Sequence, residues 1–228
     1  MLTETTGDRR SGSPQATGRD STASRIASAL RDRITAGGFQ PGDQLPEERI
    51  SAGLGVSRNT LREGLQVLVR ERLLVHRLNR GMFVREPTPD DVRDLYRARR
   101  LIECGALREA DSVPVRVLRA LRAAVESGQR AAAEGRWRDV ANASIALHQA
   151  IAGLAGSERT DDTMRGLLAE FRLAYAVMTD PRAFHEPYLR RHPSIVEPIT
   201  AGDLATAEAR LRDYLRDAER QVLAAFPR

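Results

Sequence analysis

Apolar residues recur along this chain with the period of a helix, in segments separated by Gly, Pro and small polar residues. From Ser21, Ile26, Leu30 and Ile34 repeat every four positions, and Gly37-Gly38 ends the helix they predict. Pro41-Gly42-Asp43 reads as a turn. Ile50 and Leu54 then share one face of a short helix. Ser51 is small and Gly55 tolerates a positive φ, which permits a sharp helix–helix corner. Ser57 offers an N-cap hydroxyl to a second helix, whose stripe is Val56, Leu61, Leu65 and Leu68. Gly64, a poor helix former, stands inside it, which implies close packing or the close approach of a binding partner. Two short β-rich runs follow, LLVHR and MFVR, joined by Leu78-Asn79-Arg80-Gly81. Helix-turn-helix followed by a hairpin is a winged helix-turn-helix.

Beyond Glu86-Pro87-Thr88-Pro89 the pattern is helical throughout. The helices predicted run over about 89–111, 114–134, 140–154, 162–178, one from Asp180-Pro181 carrying His185, His192 and Ile195, and 204–225. Short joints between them make an antiparallel bundle. The fold class is therefore mostly α, an N-terminal winged helix-turn-helix with a small β-hairpin wing and a C-terminal all-α antiparallel bundle. The boundaries read from the pattern are a disordered polar arm at 1–20, a DNA-binding domain at 21–86, a stiff hinge at 87–89 and the bundle at 90–228. In the arm, Arg9 and Arg10 read as part of a solvated tail.

Charge sharpens this picture. The chain's net charge is +5, and all 36 basic residues are Arg. Residues 21–86 hold eleven Arg against seven acids, whereas 87–228 are nearly balanced. The excess sits on the winged helix, where phosphate binding needs it. The polar side of the second helix carries Ser57, Arg58, Asn59, Thr60 and Arg62 in its first two turns. That end of a recognition helix meets base edges in the major groove, where Arg grips guanine and Asn grips adenine. Ser57 and Thr60 suit phosphate oxygens. Arg77, Arg80, Gly81 and Arg85 line the wing, and His76 in its strand is a possible phosphate contact. The single cysteine, Cys104, reads as a buried small apolar residue, and no disulfide framework is possible, which suits a cytoplasmic protein. No window of eighteen apolar residues and no apolar leader exists, so neither export nor a membrane span is expected. Aromatics make up only 4% of the chain and give no hint of a stacking cofactor.

The residues from Arg25 to Val84 resemble the DNA-binding domain of the GntR family of bacterial transcription regulators. The match runs through ALRDRI, the turn ending in Pro41-Gly42, LGVSR (Leu54 to Arg58), LRE (Leu61 to Glu63) and the Asn79-Arg80-Gly81 wing. Asn59-Thr60-Leu61 stands where many members have Thr-Pro-Val, and Gly64 replaces a common Ala. Residues 90–226 resemble, more loosely, the FCD-type ligand-sensing domain of the FadR-like branch. LYRARRLIE (Leu95 to Glu103), the joint at Trp137, ALHQAI (Ala146 to Ile151), His192 with Ile195 and Gly202-Asp203 carry that match.

The resemblance implies a bundle-centre site holding a divalent metal (Zn, Ni or Mn) on an Asp or Asn and three His, completed by an organic-acid-like effector. His148 and His192 match two of those His; Tyr214 stands in place of the third and Ser144 in place of the carboxylate. Two imidazoles are a weak metal site, since such ions want three or more protein ligands, and Tyr keeps its proton at neutral pH. The competing reading makes Arg99, Ser144, His148, His192 and Tyr214 a metal-free effector site, with Arg99 gripping a carboxylate or simply pairing with Glu103 four residues on. His185 reads as a surface residue and Trp137 as the anchor of a helix joint.

The implied function is a sequence-specific, nucleoid-associated transcriptional regulator. It would bind a palindromic double-stranded operator as a homodimer, as a repressor released by a small-molecule effector. Two alternatives stand beside it. One is a constitutive DNA-binding protein whose bundle only dimerises. The other is a metal-dependent hydrolase using His148 and His192, against which stands the absence of HExxH, GxSxG or a phosphate loop.

Overall fold

The computed structural model describes residues 16–175 and 180–226. Its elements are α1 (Ala16–Thr35), α2 (Glu47–Leu54), α3 (Arg58–Arg70), β1 (Leu74–Arg77), β2 (Gly81–Val84), α4 (Pro89–Glu109), α5 (Val115–Ala133), α6 (Trp137–Ala152), a 3₁₀ turn (Gly153–Ala155), α7 (Glu158–Tyr175), α8 (Pro181–Leu189), α9 (His192–Ala201) and α10 (Leu204–Ala224). The chain is mostly helical, with one two-stranded sheet, as the periodicity predicts. Helix α1 starts at Ala16, so the arm expected to run to residue 20 gives way to helix earlier. Arg9 and Arg10 lie outside the described residues.

The first half folds as its punctuation dictates. Gly55 closes α2 in the left-handed region at φ 64°, and Ser57 caps α3. Leu61, Leu65 and Leu68 are buried against Ile26, Leu30 and Ile34 of α1. Gly64 lies on that same seam. A Cβ there would sit 2.6 Å from Ile26 Cγ2 and 3.2 Å from the Ala23 carbonyl. Gly64 therefore serves close helix packing rather than approach to DNA. Leu54 departs from its expected place: it is 42% exposed while Ile50 is buried, because α2 ends at that residue and the chain turns away. The strands pair antiparallel with Arg77 opposite Gly81, and Asn79 (φ 58°) and Gly81 (φ 89°) take the left-handed conformations the turn needs.

In the second half, α4 pairs with α10 and α5 with α6. The Thr88–Asp91 capping box starts α4. One helix expected from Asp180 is two, α8 and α9, broken at Arg190-Arg191. Pro193 opens the second, a position its missing N–H favours.

The halves are packed on each other. Ala169 and Leu173 of α7 join the core of the winged helix, and Pro87 of the linker is buried. Arg85, expected along the wing, turns the other way. It bonds Glu170 of α7 at 2.7 Å and Asp91 of α4 at 2.6 Å, tying the reading head to the bundle.

Candidate functional site

The reading face is assembled by the N-cap and by two acids on α2. The Thr60 backbone N–H donates to Ser57 Oγ (3.1 Å) and the two hydroxyls bond at 2.8 Å, which fixes the first turn of α3. Arg58, Asn59 and Arg62 are exposed from that turn and Thr60 is half-buried. Arg58 pairs with Glu48 at 2.7 Å and Arg62 lies 3.8 Å from Glu47. The Arg58 and Glu48 side chains are 73% and 81% exposed, so that pair is worth only ~0–1 kcal/mol and a base or phosphate can displace it. Glu47 also lies 3.5 Å from where a Cβ on Gly81 would sit, which brings wing and recognition helix to one face. On the wing, Arg80 and Leu78 are exposed at the tip, and Gln44 donates to the Arg80 carbonyl at 2.6 Å. Arg77 is drawn back: it stacks on Phe83 (4.5 Å) and pairs with Glu86 at 3.1 Å. His76 is exposed on β1.

The bundle interior holds a second constellation. Arg99 and Glu103 are 1% and 0% exposed, one turn apart on α4. Arg99 Nε donates to Glu103 Oε1 at 2.8 Å, and Glu103 Oε2 bonds His148 Nδ1 of α6 at 2.6 Å. Burial presses Arg99 towards losing its proton, but Glu103, together with Tyr96, Tyr175 and Tyr214, outweighs it and holds the guanidinium charged. Burial likewise disfavours the Glu103 carboxylate, and Arg99 and His148 outweigh that, so it titrates below the usual range. Burial holds His148 neutral at ordinary pH, against the pull of Glu103. Across the interior, His192 Nε2 of α9 meets the Tyr214 hydroxyl of α10 at 3.2 Å, and the Ser144 hydroxyl of α6 pulls the Tyr214 pKa down. Burial pushes the Tyr214 hydroxyl up to about 12 and presses His192 down to about 3.

Arg99, Ser144, His148, His192 and Tyr214 are thus all buried, and Tyr214 bridges toward both histidine rings, at 5.2 Å from His148 and 5.8 Å from His192. Three fully buried polar atoms here have no hydrogen-bond partner among the described residues: Arg99 Nη2, Tyr96 OH and His192 Nδ1. Sequence reasoning saw Glu103 only as a helical neighbour of Arg99; its contact with His148 makes it the hinge of the network. It also missed the aromatic wall. All four tyrosines of the chain lie here, linked ring to ring through Phe171 and Phe184 from Tyr96 to Tyr214. His185, expected at the surface, is buried against Tyr175 (4.8 Å), because α8 turns it inward. Trp137 anchors the α5–α6 joint beside Ala131 and Val140. Cys104 is buried.

The donor set does not fit a divalent metal. His148 Nε2 and His192 Nδ1 remain as two imidazole nitrogens, and Tyr214 in the third position keeps its proton, so the set falls short of the three or more protein ligands such ions want. Among the described residues no three His, Cys, Asp or Glu converge on a common point.

Residues 22–84 match the family model of bacterial regulatory proteins, gntR family, and residues 94–217 match the FCD domain. The Nta operon transcriptional regulator of Aminobacter aminovorans is 32% identical over 157 residues, 66% of this chain and 72% of that protein. The gluconate operon transcriptional repressor of Bacillus subtilis is 38% identical over 84 residues, 36% of this chain and 34% of that protein. The crystal structure of a transcriptional regulator GntR from Rhodococcus sp. RHA1 is 41% identical and superposes with a TM-score of 0.85 over 91% of this chain and 100% of that one. Escherichia coli McbR/YncC, 18% identical with a TM-score of 0.76 over 88% of this chain and 96% of that one, shares the fold.

Proposed function

We propose a mode of action for a chain that belongs to the gntR family of bacterial regulatory proteins and carries an FCD domain: repression relieved by a small molecule. The chain is a DNA-binding transcriptional regulator of that type, and its relatives are regulators rather than enzymes. Beyond this, we infer that two copies read a palindromic operator, because two-fold protein matches two-fold DNA. Ser57, Arg58, Asn59, Thr60, Arg62 and the wing tip at Arg80 and Gly81 make the contacts, with Arg77 joining once it leaves Glu86. Repression is favoured by the likeness to the gluconate operon repressor. No helix among the described residues is long and apolar enough to cross a membrane, and the site of action is chromosomal DNA in the cytoplasm.

The effector binds in the bundle without a metal. One observation carries this reading: Arg99 Nη2, Tyr96 OH and His192 Nδ1 are each buried in the bundle interior without a hydrogen-bond partner among the described residues. An unsatisfied buried polar group costs about 1–3 kcal/mol, so three within one bundle interior are a ligand's recognition groups held ready. Arg99 already has Glu103 on Nε, so the site offers a carboxylate the Nη2 amino group plus a phenol and an imidazole nitrogen. An organic acid of low charge, with an apolar body for the aromatic wall, fits that inventory. A bundle that only dimerised would have no use for such groups.

Tyr96→Phe tests this directly. It removes a hydroxyl that has no hydrogen-bond partner among the described residues, so the melting temperature holds or rises. Purified protein is screened in EDTA against small hydroxy-, keto- and aryl-acids, by thermal shift and by release from operator. The acids that stabilise the natural protein should lose at least about tenfold in affinity for the variant. A variant that melts earlier and responds unchanged would make the Tyr96 hydroxyl structural.

A further inference from the structure

The bundle site leaves unexplained a cleft of about 290 Å³ between the reading head and the bundle. Phe39, behind the end of α1, forms one side. Trp137 and Arg138 at the start of α6, Arg172 and Tyr175 at the end of α7, and His185 of α8 form the other. Arg138 reaches across it: its Nη2 lies 3.1 Å from where a Cβ on Gly37 of the reading head would sit. Among the described residues that line the cleft there are two guanidiniums, one imidazole and three aromatic rings, and no carboxylate. The positive field is felt by its members. Burial presses Arg172 downward against the pull of Tyr175, with a smaller push from Arg138; burial, and then Arg172, press His185 to about 4.

We propose that this cleft is a second ligand site, for a small aromatic monocarboxylate, held between Arg138 and Arg172 with its ring against Trp137 and Phe39. Guanidiniums favour carboxylates through paired N–H donors, and Arg desolvates more readily than Lys in such a niche. The aromatic sides select a flat apolar body over an inorganic anion. The location gives the site a regulatory meaning. Its occupant touches both the α1 end of the reading head and, through Tyr175 and His185, the aromatic wall of the bundle site. A ligand that prefers one placement of the two halves shifts operator affinity, and operator shifts its affinity by the same factor.

Trp137 is the only tryptophan in the chain and lines this cleft, so its emission reports on it, with Arg138→Ala separating this cleft from the ring's other side. The full-length protein is titrated with benzoate, with acetate as a carboxylate without a ring, and with sulfate as an inorganic anion. The expected result is a saturable change in Trp137 emission with benzoate, at an affinity about tenfold or more above acetate and sulfate. Arg138→Ala, at an exposed position, should weaken benzoate about tenfold while Tyr96→Phe leaves it unchanged. No saturable change with benzoate, or equal affinity in Arg138→Ala, overturns the proposal. Sulfate binding as tightly as benzoate overturns the ligand class. Benzoate binding that Tyr96→Phe abolishes and Arg138→Ala spares overturns the cleft and assigns the acid to the bundle interior.

Discussion

Replacing Glu103 by Gln strikes the bundle network at its centre. The substitution keeps the side chain's shape, so it opens no cavity. It removes the negative charge that faces Arg99 at 2.8 Å and His148 at 2.6 Å, in a place where Arg99 and Glu103 are 1% and 0% exposed. Breaking a buried pair by removing one partner costs about 3–5 kcal/mol, because the surviving charge stays buried and uncompensated. For a chain of this size each kcal/mol is worth about 2–4 °C, so the melting temperature should fall by roughly 6–20 °C. The assay is calorimetry at pH 7.5 in EDTA. The double variant Arg99→Met/Glu103→Gln removes the stranded charge and should recover at least half of the loss. A Glu103→Gln protein within about 1 kcal/mol of the natural one would refute the claim that this pair is a dry, mutually compensating unit.

Three other expectations follow from individual contacts. Gly64→Ala places a Cβ 2.6 Å from Ile26 Cγ2; overpacking of about 1–3 kcal/mol should exceed the gain of up to ~1 kcal/mol in helix propensity, and Gly64→Ala/Ile26→Ala should melt above Ile26→Ala alone. His185 is held at about 4 and His192 at about 3, against an ordinary 6.5, so both fold neutral and take up a proton on unfolding. Stability is then full above pH 6.5 and falls as pH drops from 6.5 toward 4, by about 1.4 kcal/mol per unit for each, with the lowered His148 adding to the fall, and His185→Gln should remove one such share of the slope in denaturant melts. Arg85→Ala strands Glu170 and should cost on the order of 3 kcal/mol while leaving operator affinity within about threefold; lost operator binding with an unchanged melt would make Arg85 a DNA contact instead.

What the sequence made legible was local. The corner at Gly55, the Ser57 cap, the Leu61-Leu65-Leu68 stripe and the Asn79–Gly81 turn are short-range devices, each with a residue type that few others replace. The inward side of α4 was half legible: Arg99 and Glu103 are four apart, but only tertiary packing brings His148 to Glu103. The aromatic wall was invisible, because its tyrosines are scattered from Tyr96 to Tyr214 and meet only when α4, α7, α8 and α10 converge. Arg85 misled for a related reason. It follows a wing strand, where phosphate contacts belong, yet two acids from other elements turn it toward the bundle. Pro193 carried a signal that went unused, since a Pro at a helix's first turn marks a new start and hence the break between α8 and α9.

The central claim is that this chain reads a two-fold operator through the first turns of α3. In vitro selection of random-sequence duplexes by the full-length protein tests it most directly, run in parallel with Arg58→Ala. The account predicts enrichment of a palindrome whose half-sites are centred on one face of the duplex, about 10 bp or a multiple apart. It further predicts that Arg58→Ala loses about 1–3 kcal/mol per half-site, with relaxed preference at one symmetric pair of positions. Enrichment of an asymmetric single site, or an unchanged palindrome bound equally well by Arg58→Ala, would contradict it.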